Sequence, residues 1–115
     1  MSTPTLINAD LALATIVRRM EFTTDVRTGR CSLMLQLLDD DRHATIEITA
    51  KAHGVSELNA QGLGGGITQL LCLRARDVSD QQQDRMHFVL EDLENGALSL
   101  KCEELSTTRS VAVDE

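Results

Sequence analysis

The chain has 115 residues, a net charge of −7 at pH 7, 42% hydrophobic residues and only two aromatic residues, Phe22 and Phe88. A chain of this length fits one domain, with an aliphatic core that needs neither disulfides nor metal. The acidic charge and the scarcity of aromatic side chains argue against sequence-independent nucleic-acid binding, which depends on Lys and Arg contacts to phosphate and on base stacking.

Three features bear on the location of the chain. No apolar run approaches the roughly 18–20 residues that cross a bilayer. The opening residues, MSTPTLINADLALATIVRR, lack the basic segment, apolar core and cleavage site of a secretory signal. Cys31, Cys72 and Cys102 are odd in number and far apart, which is typical of reduced thiols. We therefore expect a cytoplasmic protein with no membrane contact.

The N-terminal segment predicts a loose lead-in and then a short helix. The lead-in covers residues 1–7 and contains the only proline, Pro4. Asn8 is a candidate N-cap for a helix over residues 10–14, because Asn side chains accept hydrogen bonds from free amides at a helix start.

Three strands are predicted in the first half of the chain. Residues 15–22 alternate, with Val17, Arg19 and Glu21 on one face. After a turn at Gly29, the apolar run at residues 31–38 suits a central strand covered on both faces. Residues 45–51 alternate as a strand with one wet face, and a bend follows at His53-Gly54-Val55. The next few residues either continue that strand or form a loop.

The second half predicts a strand and a hairpin. Residues 68–76 alternate, with Leu71, Leu73 and Ala75 on one face. Residues 86–93 and 98–103 alternate on both sides of Asn95-Gly96, a pair that favours a two-residue type I′ turn.

The elements together predict a mainly β fold. We expect about six antiparallel strands in a small sandwich or a curved meander, with one or two short helices. Residues 8–105 would form a single β-rich domain, and residues 106–115 a flexible C-terminal tail.

The glycine-rich run GLGGGITQLLC at residues 62–72 raises the question of phosphate binding. A P-loop closes with Gly-Lys-Ser or Gly-Lys-Thr, whereas Gly66 is followed by Ile67 and Thr68. The dinucleotide fingerprint opens a helix, whereas this run leads into a strand. We interpret Gly64 and Gly65 as backbone freedom between strands, with a loop that orders against a partner as the alternative.

Catalytic and metal-binding patterns are lacking in the sequence. The histidines and cysteines include no pair at zinc-ligand spacing. Each cysteine lies among apolar residues, where a thiol is inert. We predict no enzyme, no metal and no cofactor.

Acidic residues are the remaining candidates for a binding site. Asp39, Asp40 and Asp41 form a charged turn, most simply a solvated one. The predicted hairpin would bring Glu91, Asp92, Glu94 and Glu103 together at one end of the sheet. These residues either decorate a solvated surface or form an acidic face for a basic protein.

One resemblance points to a class of protein. The run GGITQLLCLRARDVSD and the hairpin HFVLEDLENGALSLKCEEL resemble a class of small bacterial β-domain proteins that includes immunity proteins of polymorphic toxin systems. The resemblance covers roughly residues 54–105. It implies a cytoplasmic binding protein and names no toxin. The scarcity of aromatic residues departs from the usual use of aromatic anchors at interfaces.

The sequence therefore predicts a non-catalytic protein–protein binding domain. An immunity protein whose acidic turns and glycine loop occlude a basic toxin is its most specific form. The alternative is a self-associating structural or accessory domain, in which an exposed strand edge pairs with its twin to give a homodimer. A third alternative, a small-ligand module, would need a concave pocket with convergent polar groups.

Overall fold

The computed structural model describes residues 4–39, 45–61, 73–78, 87–94 and 96–112, which form a short helix and eight strands. In chain order these are α1 (Pro4–Leu11), β1 (Ile16–Thr24), β2 (Cys31–Leu38), β3 (Thr45–His53), β4 (Ser56–Ala60), β5 (Leu73–Asp77), β6 (Phe88–Asp92), β7 (Leu98–Cys102) and β8 (Glu104–Ala112). One antiparallel sheet, sheet A, has the order β1-β2-β3-β8, and the other, sheet B, has the order β4-β7-β6-β5. The predicted mainly β, antiparallel fold is confirmed, and of the two predicted forms the two sheets match the sandwich rather than the curved meander. The described residues form eight strands rather than about six.

A single hydrophobic core lies between the two sheets and under α1. Its strand residues alternate along each strand, because successive side chains point to opposite faces. Each fully buried Leu, Ile or Val in such a core stabilises the fold by roughly 1.5–3 kcal/mol. The largest fully buried side chains are Ile7, Leu11, Leu35, Leu37, Ile48, Leu90, Leu98, Leu100 and Cys102.

A bent two-stranded ribbon connects the sheets. β3 pairs with β8 in sheet A, and their continuations β4 and β7 pair in sheet B. The ribbon bends at Gly54, whose φ of 66° lies in the region that glycine adopts freely. The Glu103 N–H donates to the His53 carbonyl at 3.0 Å across the bend. The predicted bend at this position is confirmed.

The predicted N-terminal lead-in is wrong from Pro4 onward, and the predicted helix cap is wrong; residues 1–3 lie outside the described residues. α1 begins at Pro4, a residue suited to the first helical position because its missing N–H has no helical partner there. Ile7 and Leu11, one turn apart, are buried in the core. Asn8 lies within the helix rather than capping it. Among the described residues, no helix has the length and apolar character to cross a membrane.

The predicted flexible C-terminal tail is also wrong as far as Ala112. β8 continues through Glu104–Ala112 and pairs with β3 along its whole length. Only Leu105 in this segment is buried and apolar among residues whose burial is described. Pairing with β3, rather than an apolar pattern, therefore holds this strand. Residues 113–115 lie outside the described residues.

Two strand predictions change in detail. A bulge at Arg18 shifts the register of β1, so that Val17 lies opposite Leu37 and Met20 opposite Leu35. Val17 therefore shares the core face with Met20 and not with Arg19. β2 buries one face, whereas its outer face stays half-buried rather than fully covered.

The hairpin of β6 and β7 is confirmed, but its turn is not a two-residue turn. Glu91 lies opposite Ser99, which leaves a five-residue loop at residues 93–97. Gly96 has a positive φ of 64°, as the Asn-Gly pair favours. Asn95 lies outside the described residues.

Candidate functional site

Asp92, predicted as a contact residue, is an internal part of the β6–β7 loop. Its side chain is 4% exposed. Its two carboxylate oxygens accept hydrogen bonds from the N–H groups of Glu94 at 3.1 Å and Ala97 at 3.2 Å. The Gly96 N–H also donates to the Asp92 carbonyl at 3.2 Å. Asp92 therefore holds the loop and presents no free carboxylate to a partner.

Glu91 and Glu103 are both paired with arginine. Arg76 Nε donates to Glu91 Oε1 at 3.1 Å, and Arg30 Nη2 donates to Glu103 Oε2 at 2.5 Å. Glu103 lies beyond the far end of β7 from the loop that holds Glu94. The predicted cluster of these carboxylates at one end of the sheet is therefore wrong, because the register separates Glu103 from Glu91.

The remaining predicted site residues fall partly outside the described residues. Asp40, Asp41, Gly64 and Gly65 all lie outside them, so no contact is assigned to the charged turn or to the glycine run. Asp39 is half-buried, and its N–H donates to the Ile46 carbonyl at 3.1 Å. Its Oδ1 is buried without a hydrogen-bond partner among the described residues. Glu94 is exposed.

The outer face of sheet B is not acidic. Arg74 and Arg76 point outward from β5 and are exposed. Lys101 lies in the same cross-strand row as Arg76 and pairs with Glu57 at 2.9 Å. Two of the predicted hairpin acids, Glu91 and Glu103, therefore meet Arg76 and Arg30, which the fold brings in from outside the hairpin. These contacts argue against a free acidic face formed by Glu91.

A row of serine, histidine and glutamate crosses the outer face of sheet A. Ser32 lies opposite His53, and His53 lies opposite Glu104. Ser32 Oγ is 3.2 Å from His53 Nδ1, within hydrogen-bond distance. Among the described residues Glu104 makes no hydrogen bond or ion pair with His53. A catalytic histidine needs a partner that orients it as well as a nucleophile, so this row lacks one of the two required contacts.

Metal and thiol chemistry have little support among the described residues. No group of three or more His, Cys, Asp or Glu there could hold a metal ion. Burial raises the pKa of the Cys102 thiol to about 12, with a smaller contribution from the negative charge of Glu103. A thiol with such a pKa is not a nucleophile near neutral pH. Cys31 is half-buried, and Cys72 lies outside the described residues.

The edges of the two sheets differ in how they are protected. On β5, the Ala75 N–H donates to Asn8 Oδ1 at 2.7 Å and Asn8 Nδ2 donates to the Ala75 carbonyl at 3.0 Å. On β8, the side chains of Thr107 and Arg109 donate to Asp10 of α1 at 2.6 and 3.0 Å. Helix α1 therefore satisfies backbone groups of Ala75 on the β5 edge, whereas its hydrogen bonds to β8 reach only side chains.

The β4 edge of sheet B is short and irregular. The register with β7 shifts between Ser56 and Asn59, and Glu57 has a positive φ of 53°. Bulges and charged residues on an edge strand oppose pairing with another chain. β4 is therefore a poor template for strand addition.

The β1 edge of sheet A is regular and open. Beyond the bulge at Arg18, the register with β2 is regular from Arg19 to Thr24. Glu21 to Thr24 are all exposed, and Phe22 is 49% exposed although its opposite residue, Leu33, is buried in the core. Sequence reasoning missed this site because the exposure of Phe22 depends on the position of β1 at the sheet edge, which is a tertiary property. The sequence feature that could have indicated it is an aromatic residue in a strand rich in charged side chains.

The backbone of β1 offers unpaired groups at this edge. In an antiparallel pair, hydrogen-bonded positions alternate along the strand. The Asp25 N–H donates to the Arg30 carbonyl at 2.8 Å, so Asp25 is a hydrogen-bonded position. Because such positions alternate, the backbone N–H and C=O groups of the odd-numbered residues from Arg19 to Asp25 point toward β2. The N–H and C=O groups of Met20, Phe22 and Thr24 consequently point away from the sheet. A strand of another chain can pair with these three residues.

No match to a family model, a curated protein or a solved structure was found for this chain.

Proposed function

We propose that this chain is a non-catalytic protein-binding domain that adds a strand of its partner to the open edge of β1. The observation that carries the proposal is the exposed ring of Phe22 on the regular outer edge of β1. α1 satisfies backbone groups on β5, a bulge interrupts β4, and the β8 edge has no exposed large apolar side chain from Glu104 to Ser110. An exposed regular edge is the template for β-strand addition, in which backbone hydrogen bonds provide affinity.

Phe22 is the side-chain anchor of this proposed site. It lies on the core side of β1, opposite Leu33, but nearly half of its surface remains exposed because no strand lies beyond β1. A strand added to β1 would cover this ring. Buried aromatic anchors contribute more than most contacts to protein interfaces, commonly about 2 kcal/mol or more each.

An immunity protein that occludes a toxin in the cytoplasm is a specific form of this function. It is supported by the sequence resemblance and by the net charge of −7, which favours a basic partner. The described residues contain twelve acids and nine bases, an excess of only three acids, so most of the negative charge lies in the other segments. We therefore assign that charge to attraction of a partner and the contact itself to β1.

A capture experiment with two matched variants tests the proposal. The immobilised chain is incubated with a lysate of its source cells, and bound proteins are identified by mass spectrometry. Phe22→Lys places a charge on the open edge, whereas Leu93→Lys changes a leucine of similar exposure, 58%, in the β6–β7 loop. We expect wild type and Leu93→Lys to retain the same partner and Phe22→Lys to lose it. Equal capture by Phe22→Lys would contradict the β1 site.

A further inference from the structure

The proposed β1 site has a self-complementary arrangement of charge and apolar residues. We infer that a second copy of this chain is a partner of β1, joined through antiparallel pairing of the two β1 strands about a two-fold axis at Phe22. This inference rests on the proposed function, since it names the occupant of the same edge. The joined sheets A would form one continuous eight-stranded sheet.

The backbone permits this pairing without rearrangement. Met20, Phe22 and Thr24 point their N–H and C=O groups to the open edge, as counted from the Asp25–Arg30 hydrogen bond. With the axis at Phe22, each Phe22 forms a hydrogen-bonded pair with its counterpart. Met20 of one copy then lies opposite Thr24 of the other, so every outward-facing backbone group from Met20 to Thr24 finds a partner.

The positions of the charged side chains favour this pairing register over the neighbouring registers. With Phe22 on the axis, Arg19 of each copy lies opposite Asp25 of the other on the outer face of the sheet. Opposite charges at directly opposed positions stabilise a strand pair, and like charges destabilise it. Arg19 and Asp25 occupy non-hydrogen-bonded positions, where facing side chains approach most closely.

The neighbouring registers place like charges together. Moving the axis to Glu21 sets the two Glu21 side chains against each other. Moving it to Thr23 sets Glu21 against Asp25 and Arg19 against Arg27. Larger shifts run into the bulge at Arg18 or into the turn after Thr24. The pairing centred on Phe22 is therefore the favoured register.

Apolar burial acts in the same direction. The two Phe22 rings lie on the core side of their strands, each opposite a buried Leu33 in its own sheet. Pairing places the rings side by side at the junction and removes both from water. Cross-strand aromatic pairs stabilise a strand pair relative to alanine pairs.

Exchange of charge between the two positions tests the inference. Arg19→Asp sets Asp against Asp25 of the second copy, and Asp25→Arg sets Arg against Arg19, so each variant alone has two repulsive pairs. An equal mixture of the two variants restores both attractive pairs in the heterodimer. The association of each protein and of the mixture is measured by sedimentation equilibrium, and circular dichroism establishes that each variant is folded.

We expect a wild-type dimer whose dissociation constant rises by on the order of tenfold or more in either variant and recovers in the mixture. A wild-type protein that remains monomeric at its highest soluble concentration would overturn the inference. So would a dimer that either variant forms as tightly as wild type. If the wild type is monomeric but Phe22→Lys still loses a captured partner, only the dimer fails and the β1 binding site stands. If Phe22→Lys changes neither dimerisation nor the capture of a partner, the proposed function fails as well.

Discussion

The side-chain amide of Asn8 takes the position of a neighbouring strand at Ala75. It accepts from the Ala75 N–H at 2.7 Å and donates to the Ala75 carbonyl at 3.0 Å, so both backbone groups of Ala75, which face outward from the β5 edge, are satisfied. Because α1 packs Ile7 and Leu11 into the core, the amide is held in place by the helix that carries it. The same contact anchors the helix and blocks an edge.

Replacing Asn8 by Ala should therefore destabilise the protein by about 1–3 kcal/mol, since two backbone groups at Ala75 lose their partners. Helix propensity alone predicts the opposite sign, because Ala is a better helix former than Asn. Urea unfolding of wild type and Asn8→Ala measures the difference. Unchanged or increased stability would show that the amide contributes nothing to the edge.

Gly54 and Gly29 form a matched pair for testing the ribbon bend. Both have positive φ, 66° and 76°. A Cβ at Gly54 would lie 2.7 Å from Glu103 Cδ, whereas a Cβ at Gly29 would have no atom within 4 Å. Gly29→Ala should lower the free energy of unfolding by about 1–2 kcal/mol because of its backbone conformation alone. Gly54→Ala should lower it by more, because its Cβ also overlaps Glu103.

Truncation of the Glu103 side chain should reduce the destabilisation caused by Gly54→Ala. In the Gly54→Ala background, Glu103→Ala should destabilise less than it does in wild type, because it removes the overlapping side chain. Thermal or urea unfolding of the four proteins gives this comparison. Additive effects would show that the two side chains do not compete for the same space.

Asp92 and Glu94 allow a comparison between a carboxylate that holds the β6–β7 loop and a carboxylate that is solvated. Asp92→Ala should destabilise the chain by about 1–3 kcal/mol, because the N–H groups of Glu94 and Ala97 lose their acceptor. Glu94→Ala should change stability by no more than about 0.5 kcal/mol, since the side chain is exposed. Equal effects in chemical denaturation would contradict the assignment of Asp92 to the loop.

Asp10 is expected to contribute to the pH dependence of the free energy of unfolding in the acid range. The hydrogen bond from Thr107, assisted by Arg109 and opposed by burial, lowers the pKa of Asp10 below its ordinary value of 3.8. A lowered folded-state pKa means that the unfolded chain binds more protons in this range, so stability rises with pH. The contribution is present above the ordinary pKa and is lost as pH falls through the lowered value.

Thr107→Val removes the hydroxyl donor and should flatten the pH dependence of unfolding below about pH 5. Thr108→Val, at the exposed neighbouring position on β8, is the control and should leave the acid limb as it is in wild type. Urea midpoints measured across the acid range provide the test. The same acid limb in both variants would exclude Thr107 as the cause.

The sequence predicted the strands that bury an alternating apolar face. β2, β3 and the β6–β7 hairpin fall in this group, because residues such as Leu35, Ile48 and Leu100 mark the core side directly. β8 was missed because its Ser and Thr residues carry no such pattern and its order comes from pairing with β3. The helix begins at Pro4 rather than near residue 10, because proline occurs at the first position of a helix as well as in loose chain.

The candidate site was less accessible to sequence reasoning. Glu103 resembles a free acid in the sequence, but its partner Arg30 is 73 residues away and is brought to it by the fold. Likewise, only the sheet order shows that β1 is an edge and that Phe22 has no strand beyond it. Edge position and long-range ion pairs are tertiary properties, whereas apolar alternation is a local one.

Residue-resolved amide hydrogen exchange of β1 tests the binding claim most directly. In dilute protein, the N–H groups of Met20, Phe22 and Thr24 should exchange quickly, whereas those of Glu21 and Thr23, which face β2, should be protected. When a partner or a second copy is bound, Met20, Phe22 and Thr24 should become protected. Rapid exchange at these three amides in the bound state, with new protection elsewhere, would contradict strand addition at β1.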